Sequence, residues 1–236
     1  MNIGLLECDH VLERFHYISG DYREMFAALF KRTSPDFTLR PFDVCNGEFP
    51  PSLDACDAYL TTGSRFSAYD DIDWIEAMKA FVQRAHEANK PFIGVCFGHQ
   101  IIAEALGGKV EPSETGWGVG VRNIEVIKSE AWMKPGQSNL RLQYMHRDQV
   151  KRLPENSVVL GRSDHCPVAV FQVSGSMLGI QAHPEFPKAY SEALLNDRVA
   201  RIGEERVATA LASLQKETDE SLVARWIVEF LEGLKQ

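Results

Sequence analysis

The chain has 236 residues, 44% of them hydrophobic and 25% charged, with a formal net charge of −8. That length suits one domain, 1–236, with a continuous core. The acidic balance and the lack of a basic stripe exclude a general nucleic-acid binder, and no apolar run approaches the ~20 residues that span a bilayer. Asn2 to Glu7 predicts a first strand, and Asp21 to Lys31 a helix, because Met25, Phe26, Leu29 and Phe30 form a stripe at helical spacing. Phe37 to Val44 alternates as a second strand, and Ala58 to Thr61 begins a short third. From Asp70-Asp71 onward, Ile72, Ile75, Met78, Phe81, Val82 and Ala85 mark the core face of an amphipathic helix, which Asn89 and Pro91 end.

Pro91-Phe-Ile-Gly-Val-Cys96-Phe-Gly-His-Gln100 then reads as a buried strand, a sharp turn and a helix. Gly94 and Gly98 flank Cys96 at the spacing of a nucleophile elbow, with sulfur in place of a hydroxyl. Such a turn is expected to push the side chain out to solvent, and the helix N-terminus behind it favours thiolate. After Gly107-Gly108 the pattern changes to strands with short turns: Val119 to Ile127, Leu140 to Tyr144, Val158 to Gly161, Val168 to Val173 and Met177 to Gln181. Two helices follow, Ala189 to Ile202 and Glu220 to Leu234. The expected fold is α/β: a doubly wound, mostly parallel sheet with helices on both faces and a mixed or antiparallel extension.

Ile180-Gln-Ala-His183-Pro-Glu185-Phe lies at the end of the last predicted strand. A cysteine nucleophile needs a base within hydrogen-bond reach, and the base needs a group to hold its ring. His183 and Glu185 supply both on one proline-stiffened turn. His99, three residues after Cys96, belongs to the first turn of the elbow helix and reads as structural or as a supporting donor. Gly116-Trp-Gly-Val-Gly120 precedes a strand, not a helix, and so fails the context of a dinucleotide site. Five scattered cysteines, at 8, 45, 56, 96 and 166, form no CxxC pair or Cys/His cluster, so neither zinc nor a disulfide framework is expected. Cys8, Cys45 and Cys56 read as small buried hydrophobes. With no basic, apolar leader at Met1, a reducing, cytoplasmic setting is the expectation.

The elbow Gly-Val-Cys-Phe-Gly-His-Gln together with the later His-Pro-Glu resembles the class I (triad) glutamine amidotransferase family. The resemblance is nearest to stand-alone members similar to the amidotransferase half of GMP synthase and to plant γ-glutamyl peptidases, the latter through Thr115-Gly-Trp-Gly118. It implies Cys96 as nucleophile, His183 as base and Glu185 as orienting carboxylate. Ala58-Tyr-Leu-Thr-Thr-Gly63-Ser is similar to the segment that supplies an oxyanion-hole amide, so Gly63 and Phe97 are the implied backbone donors. Gln100 and the Met145-His-Arg-Asp-Gln-Val150 segment are the implied holders of substrate; His146 and Asp148 read equally well as a self-capped turn. Thr61-Thr62 departs from the Ser-Gly-Gly-Pro of many relatives and stiffens that loop.

The implied activity is hydrolysis of the γ-carboxamide of glutamine, or of a γ-glutamyl compound, through a glutamyl-thioester. It needs no metal, nucleotide or flavin, and it either feeds ammonia to a separate synthase subunit or stands alone as a γ-glutamyl peptidase. A non-catalytic binding module that keeps the fold is a rival from another class. So is another cysteine hydrolase of this fold, whose relatives lack the late His-Pro-Glu.

Overall fold

The computed structural model describes residues 1–34 and 36–234. In chain order its strands are β1 (Asn2–Leu6), β2 (Thr38–Phe42), β3 (Ala58–Thr61), β4 (Phe92–Val95), β5 (Lys109–Pro112), β6 (Gly118–Val126), β7 (Asn139–His146), β8 (Asp148–Arg152), β9 (Ser157–Arg162), β10 (Val170–Val173) and β11 (Met177–Ile180). The helices are α1 (His16–Ser19), α2 (Tyr22–Lys31), α3 (Asp73–Glu87), α4 (Phe97–Ala105), α5 (Lys188–Asp197), α6 (Val199–Ile202), α7 (Glu204–Ser213) and α8 (Glu220–Gly233).

One sheet runs in the order β2-β1-β3-β4-β11-β10-β9-β6-β7. Its first five strands are parallel to one another; β10, β9, β6 and β7 continue it antiparallel. Pro41, which cannot donate to a ladder, sits in the edge strand β2, where that costs least. The fold is therefore the expected doubly wound α/β sheet with an antiparallel extension. Phe26, Leu29 and Phe30 of α2 join Val223, Ile227 and Leu231 of α8 in a core on one face. On the other face, Ile75, Met78 and Phe81 of α3 pack with Ile101 and Ile102 of α4. Along β4 the alternation assigns Phe92 to the second core and Ile93 and Val95 to the first.

Helix α2 starts where its chemistry dictates. Asp21 caps the Tyr22 N–H while Glu24 reaches back to the Asp21 N–H, a reciprocal capping box. Three sequence expectations need correction. The predicted helix 189–202 is two helices broken at Arg198, and α7 has no counterpart among the expected elements. Only Val207 and Ala210 of α7 are buried, so its apolar stripe is too thin to announce a helix, and its packing on β6 supplies the missing stabilisation. Beyond the main sheet, β5 and β8 pair as a two-stranded antiparallel ribbon. Neither strand is among the expected elements, because their pairing is non-local and invisible to local pattern. The bend at Arg147 between β7 and β8 is capped by a flanking side chain, His146 Nδ1 donating to the Asp148 carbonyl at 2.9 Å.

Candidate active site

Cys96, Gly63 and His183 follow β4, β3 and β11, three neighbouring parallel strands. Side chains from distant stretches of chain thus meet at the carboxyl ends of the strands, where ligands bind in open α/β sheets. Cys96 has φ 51° and ψ −96°, a left-handed conformation that L-residues rarely adopt. Its N–H donates to the Ile180 carbonyl at 2.8 Å, tying the elbow to β11.

The two flanking glycines are required by close approach. A Cβ on Gly94 would overlap the Gly98 carbonyl, and one on Gly98 would overlap the Thr61 hydroxyl. That hydroxyl accepts the Val95 N–H at 3.2 Å, so β3, β4 and α4 are clamped together at this point. The Thr62 hydroxyl accepts the Cys8 N–H at 2.9 Å and so anchors the strand end just before Gly63. Both threonines are fully buried, and their hydrogen bonds explain their presence here.

Cys96 itself is only 6% exposed, which overturns the expectation of a solvent-directed side chain. The elbow points it into a cleft of about 110 Å³ walled by Ser64 to Ser67, Trp117 and Met145 to Asp148. Local turn geometry sets the direction of the thiol, but other loops cover it. Cys8 and Cys56 are buried as expected, and so is Cys166, whereas Cys45, also expected in the core, is half-buried. A larger cavity of about 740 Å³, lined by Met25, Leu29, Glu185 and Lys188 among others, touches neither Cys96 nor His183.

His183 is buried with its Nδ1 2.7 Å from Glu185 Oε1. Burial of the ring works against its protonation. The Glu185 carboxylate, and then the Cys96 sulfur through charge and a hydrogen bond, outweigh this and raise its pKa to about 10. The ring stacks on Phe186, with centroids 3.8 Å apart, and faces Gly63, where a Cβ would lie 2.9 Å from its Cε1. Gln143 of β7 latches the turn: its carbonyl accepts the His183 N–H at 2.8 Å, and its side-chain amide donates to the Phe186 carbonyl. Sequence reasoning missed Gln143. The one available signal was a polar residue inside the apolar run Leu140 to Met145, with nothing local to name its partner.

The other candidates fall around the same cleft. Phe97 is the first residue of α4, so its N–H has no acceptor within the helix, and its ring packs on Trp74. Met145 and Gln100 line the cleft, and the Gln100 amide donates to the Asp148 carbonyl at 2.8 Å and to Gln181 Oε1 at 3.1 Å. Asp148 accepts from Ser67 Oγ, Tyr69 Oη and Arg147 Nε, joining two walls of the cleft. His99 lies apart, donating Nε2–H to the Val168 carbonyl at 2.9 Å. Burial pushes it down to about 3, which keeps it neutral; burial does the same to His146.

The family described as glutamine amidotransferase class-I matches residues 62–201. γ-Glutamyl peptidase 2 of Arabidopsis thaliana is 34% identical over 227 residues, covering 91% of this chain and 89% of the plant protein. One subunit of the glutamine-hydrolysing GMP synthase of Thermococcus kodakarensis is 34% identical over 134 residues, or 56% of this chain and 71% of that protein. In fold, a glutamine amidotransferase from Thermotoga maritima superposes with a TM-score of 0.76 over 99% of this chain and 97% of that one, at 17% identity.

Proposed function

This chain belongs to the class I glutamine amidotransferase family, and on that premise we propose that it hydrolyses a γ-glutamyl bond with Cys96 as nucleophile. The observation that carries this reading is the convergence of a strained Cys96, a buried His183 and the Glu185 carboxylate at the ends of adjacent strands. Cys96 Sγ attacks the γ-carbonyl carbon after its proton passes to His183, and the carbonyl oxygen takes up the charge facing the Gly63 and Phe97 N–H groups. The C–N bond then breaks, and the departing nitrogen takes the proton from His183 as ammonia or an amine. Water, deprotonated by the same ring, attacks the thioester and releases glutamate and the thiol. Glu185 holds the imidazole in orientation throughout, while Gln100 and the Met145 backbone hold the glutamyl portion.

A glutamine-mimicking chloroketone should alkylate Cys96 first, because burial disfavours the thiolate at Cys8, Cys45, Cys56 and Cys166. Peptide mapping after partial labelling checks it; label spread over the other cysteines with Cys96 spared would remove the nucleophile assignment.

Trp117 favours a leaving group larger than ammonia. It lines the cleft beside Cys96, with the Arg201 guanidinium 5.5 Å from its ring centroid, and its loop is pinned by Arg206 through the Thr115 and Trp117 carbonyls. A surface that touches the departing amine can lower the barrier through remote binding energy. We therefore expect a higher kcat/KM for a γ-glutamyl dipeptide than for glutamine, with Trp117→Ala narrowing the gap. If glutamine is the better substrate, or a synthase strongly raises its turnover, the chain is an ammonia donor to that synthase. No turnover of either compound would leave a binding module.

A further inference from the structure

Away from the cysteine cleft, the carboxyl ends of β1 and β2 bring together side chains that lie far apart in sequence. His10 Nε2 is 3.1 Å from Asp43 Oδ1, and Cys45 Sγ is 3.3 Å from the same oxygen. The three potential ligand atoms all lie within 4.8 Å of one another. We propose that His10 Nε2, Asp43 Oδ1 and Cys45 Sγ form a three-ligand site for a borderline divalent cation, with Zn²⁺ the ion its donor set suits.

Geometry supports this first. Tetrahedral bonds of about 2.0–2.3 Å place neighbouring ligand atoms about 3.3–3.6 Å apart, so a small outward shift of each side chain admits the ion. The donor set narrows the choice: imidazole plus thiolate suits zinc, whereas magnesium and calcium prefer all-oxygen shells. The other nitrogen of His10 carries the bracing expected behind a metal-bound imidazole. Its Nδ1 lies 2.6 Å from Asp21 Oδ2, so the carboxylate holds the proton on Nδ1 and aims Nε2 at the site. Asp21 is itself fixed, accepting the Val11 and Tyr22 N–H groups at 2.8 Å each as the cap of α2. Glu7 is not a ligand, because both of its oxygens are held by Arg23.

Both nitrogens of His10 face carboxylates, Nδ1 towards Asp21 and Nε2 towards Asp43. The surroundings are acidic: Arg23 pairs with Glu7 and Arg65 with Asp9, which leaves Asp21 and Asp43, both against the His10 ring, to attract a cation. Binding takes up the Nε2 lone pair, releases the Cys45 thiol proton to solvent, forms M–N, M–O and M–S bonds, and changes no oxidation state. The fourth position stays open to water. The bound ion would stitch the segment after β1 to the segment after β2. Asp9, in the first of these, carries the pairing to Arg65 at the cleft wall.

Titration of the full-length Cys96→Ser chain with Co²⁺ tests the site without interference from the catalytic thiol. The expected result is a thiolate-to-cobalt charge-transfer band that saturates at one equivalent and is bleached by Zn²⁺. Cys45→Ser removes the band, and His10→Gln weakens binding at least tenfold. Asp21→Asn keeps a good helix cap but weakens binding by roughly 10–100-fold through the lost bracing. Circular dichroism of each variant separates loss of the site from loss of the fold. A chain that shows no saturable band, or a band that survives Cys45→Ser, overturns the proposal. Turnover of a γ-glutamyl dipeptide by the wild-type chain is read separately, so neither result decides the other.

Discussion

Replacing His183 by alanine should lower acyl-enzyme formation by roughly 10²–10⁴-fold, the usual span for a positioned general base. Single-turnover kinetics with a chromogenic γ-glutamyl anilide reads this directly, and an unchanged rate would remove the ring from the mechanism. Glu185→Gln should retain substrate binding but slow turnover, because the amide can hold the ring yet cannot balance its charge. The ion pair also leaves a signature in stability. The His183 pKa is raised to about 10 in the folded chain, chiefly by the Glu185 carboxylate working against burial, from an ordinary value of 6.5. A raised folded-state value stabilises the fold fully below the unfolded value, and that stabilisation is lost as pH rises through the folded value. The stability gap between wild type and Glu185→Gln should therefore be widest near pH 6 and close between 6.5 and 10. Urea melts across that window check it, and a gap that stays constant would mean that the pair carries no charge.

Gly94→Ala and Gly98→Ala should damage the elbow from opposite sides. In the first, the new methyl meets the backbone carbonyl of Gly98, which cannot move without displacing the first turn of α4. In the second it meets the Thr61 side chain, whose hydroxyl already holds the Val95 N–H. Overpacking of this kind costs about 1–3 kcal/mol, or roughly 2–12 °C in Tm for a chain of this size. Activity should fall further than stability alone accounts for, because Cys96 moves with the turn and small misplacements of reacting groups are costly. The double variant Thr61→Ser/Gly98→Ala separates these effects. Serine keeps the hydroxyl but removes the methyl that the new Cβ would approach at 3.1 Å, so only part of the stability should return. Wild-type stability and turnover in Gly98→Ala would show that the elbow is not clamped as described.

Most of the elements were legible in the chain because they are encoded by local rules. The stripe Met25, Phe26, Leu29 and Phe30, with Asp21 and Glu24 at its start, specifies α2 from propensity and capping alone. The glycine spacing around Cys96 identifies the elbow because only glycine permits strand and helix to approach so closely. The nearness of His183 and Glu185 in sequence is likewise a local fact. By contrast α7, β5 and β8 have weak periodicity, and their stabilisation comes from neighbours distant in sequence.

The sequence by itself determined most of the strands and helices in their order, the turn at Cys96 and the Cys, His and Glu residue types. Only the tertiary structure decided that β11 lies beside β4, which brings His183 to Cys96 across the intervening strands β5 to β10. It also decided that loops roof the thiol, that Gln143 latches the His183 turn, and that His10 meets Asp43 and Cys45. The physical reason is one of range. Backbone dihedrals, caps and side-chain periodicity act over a few residues, whereas strand order and burial are settled by which distant surfaces pair and exclude water together.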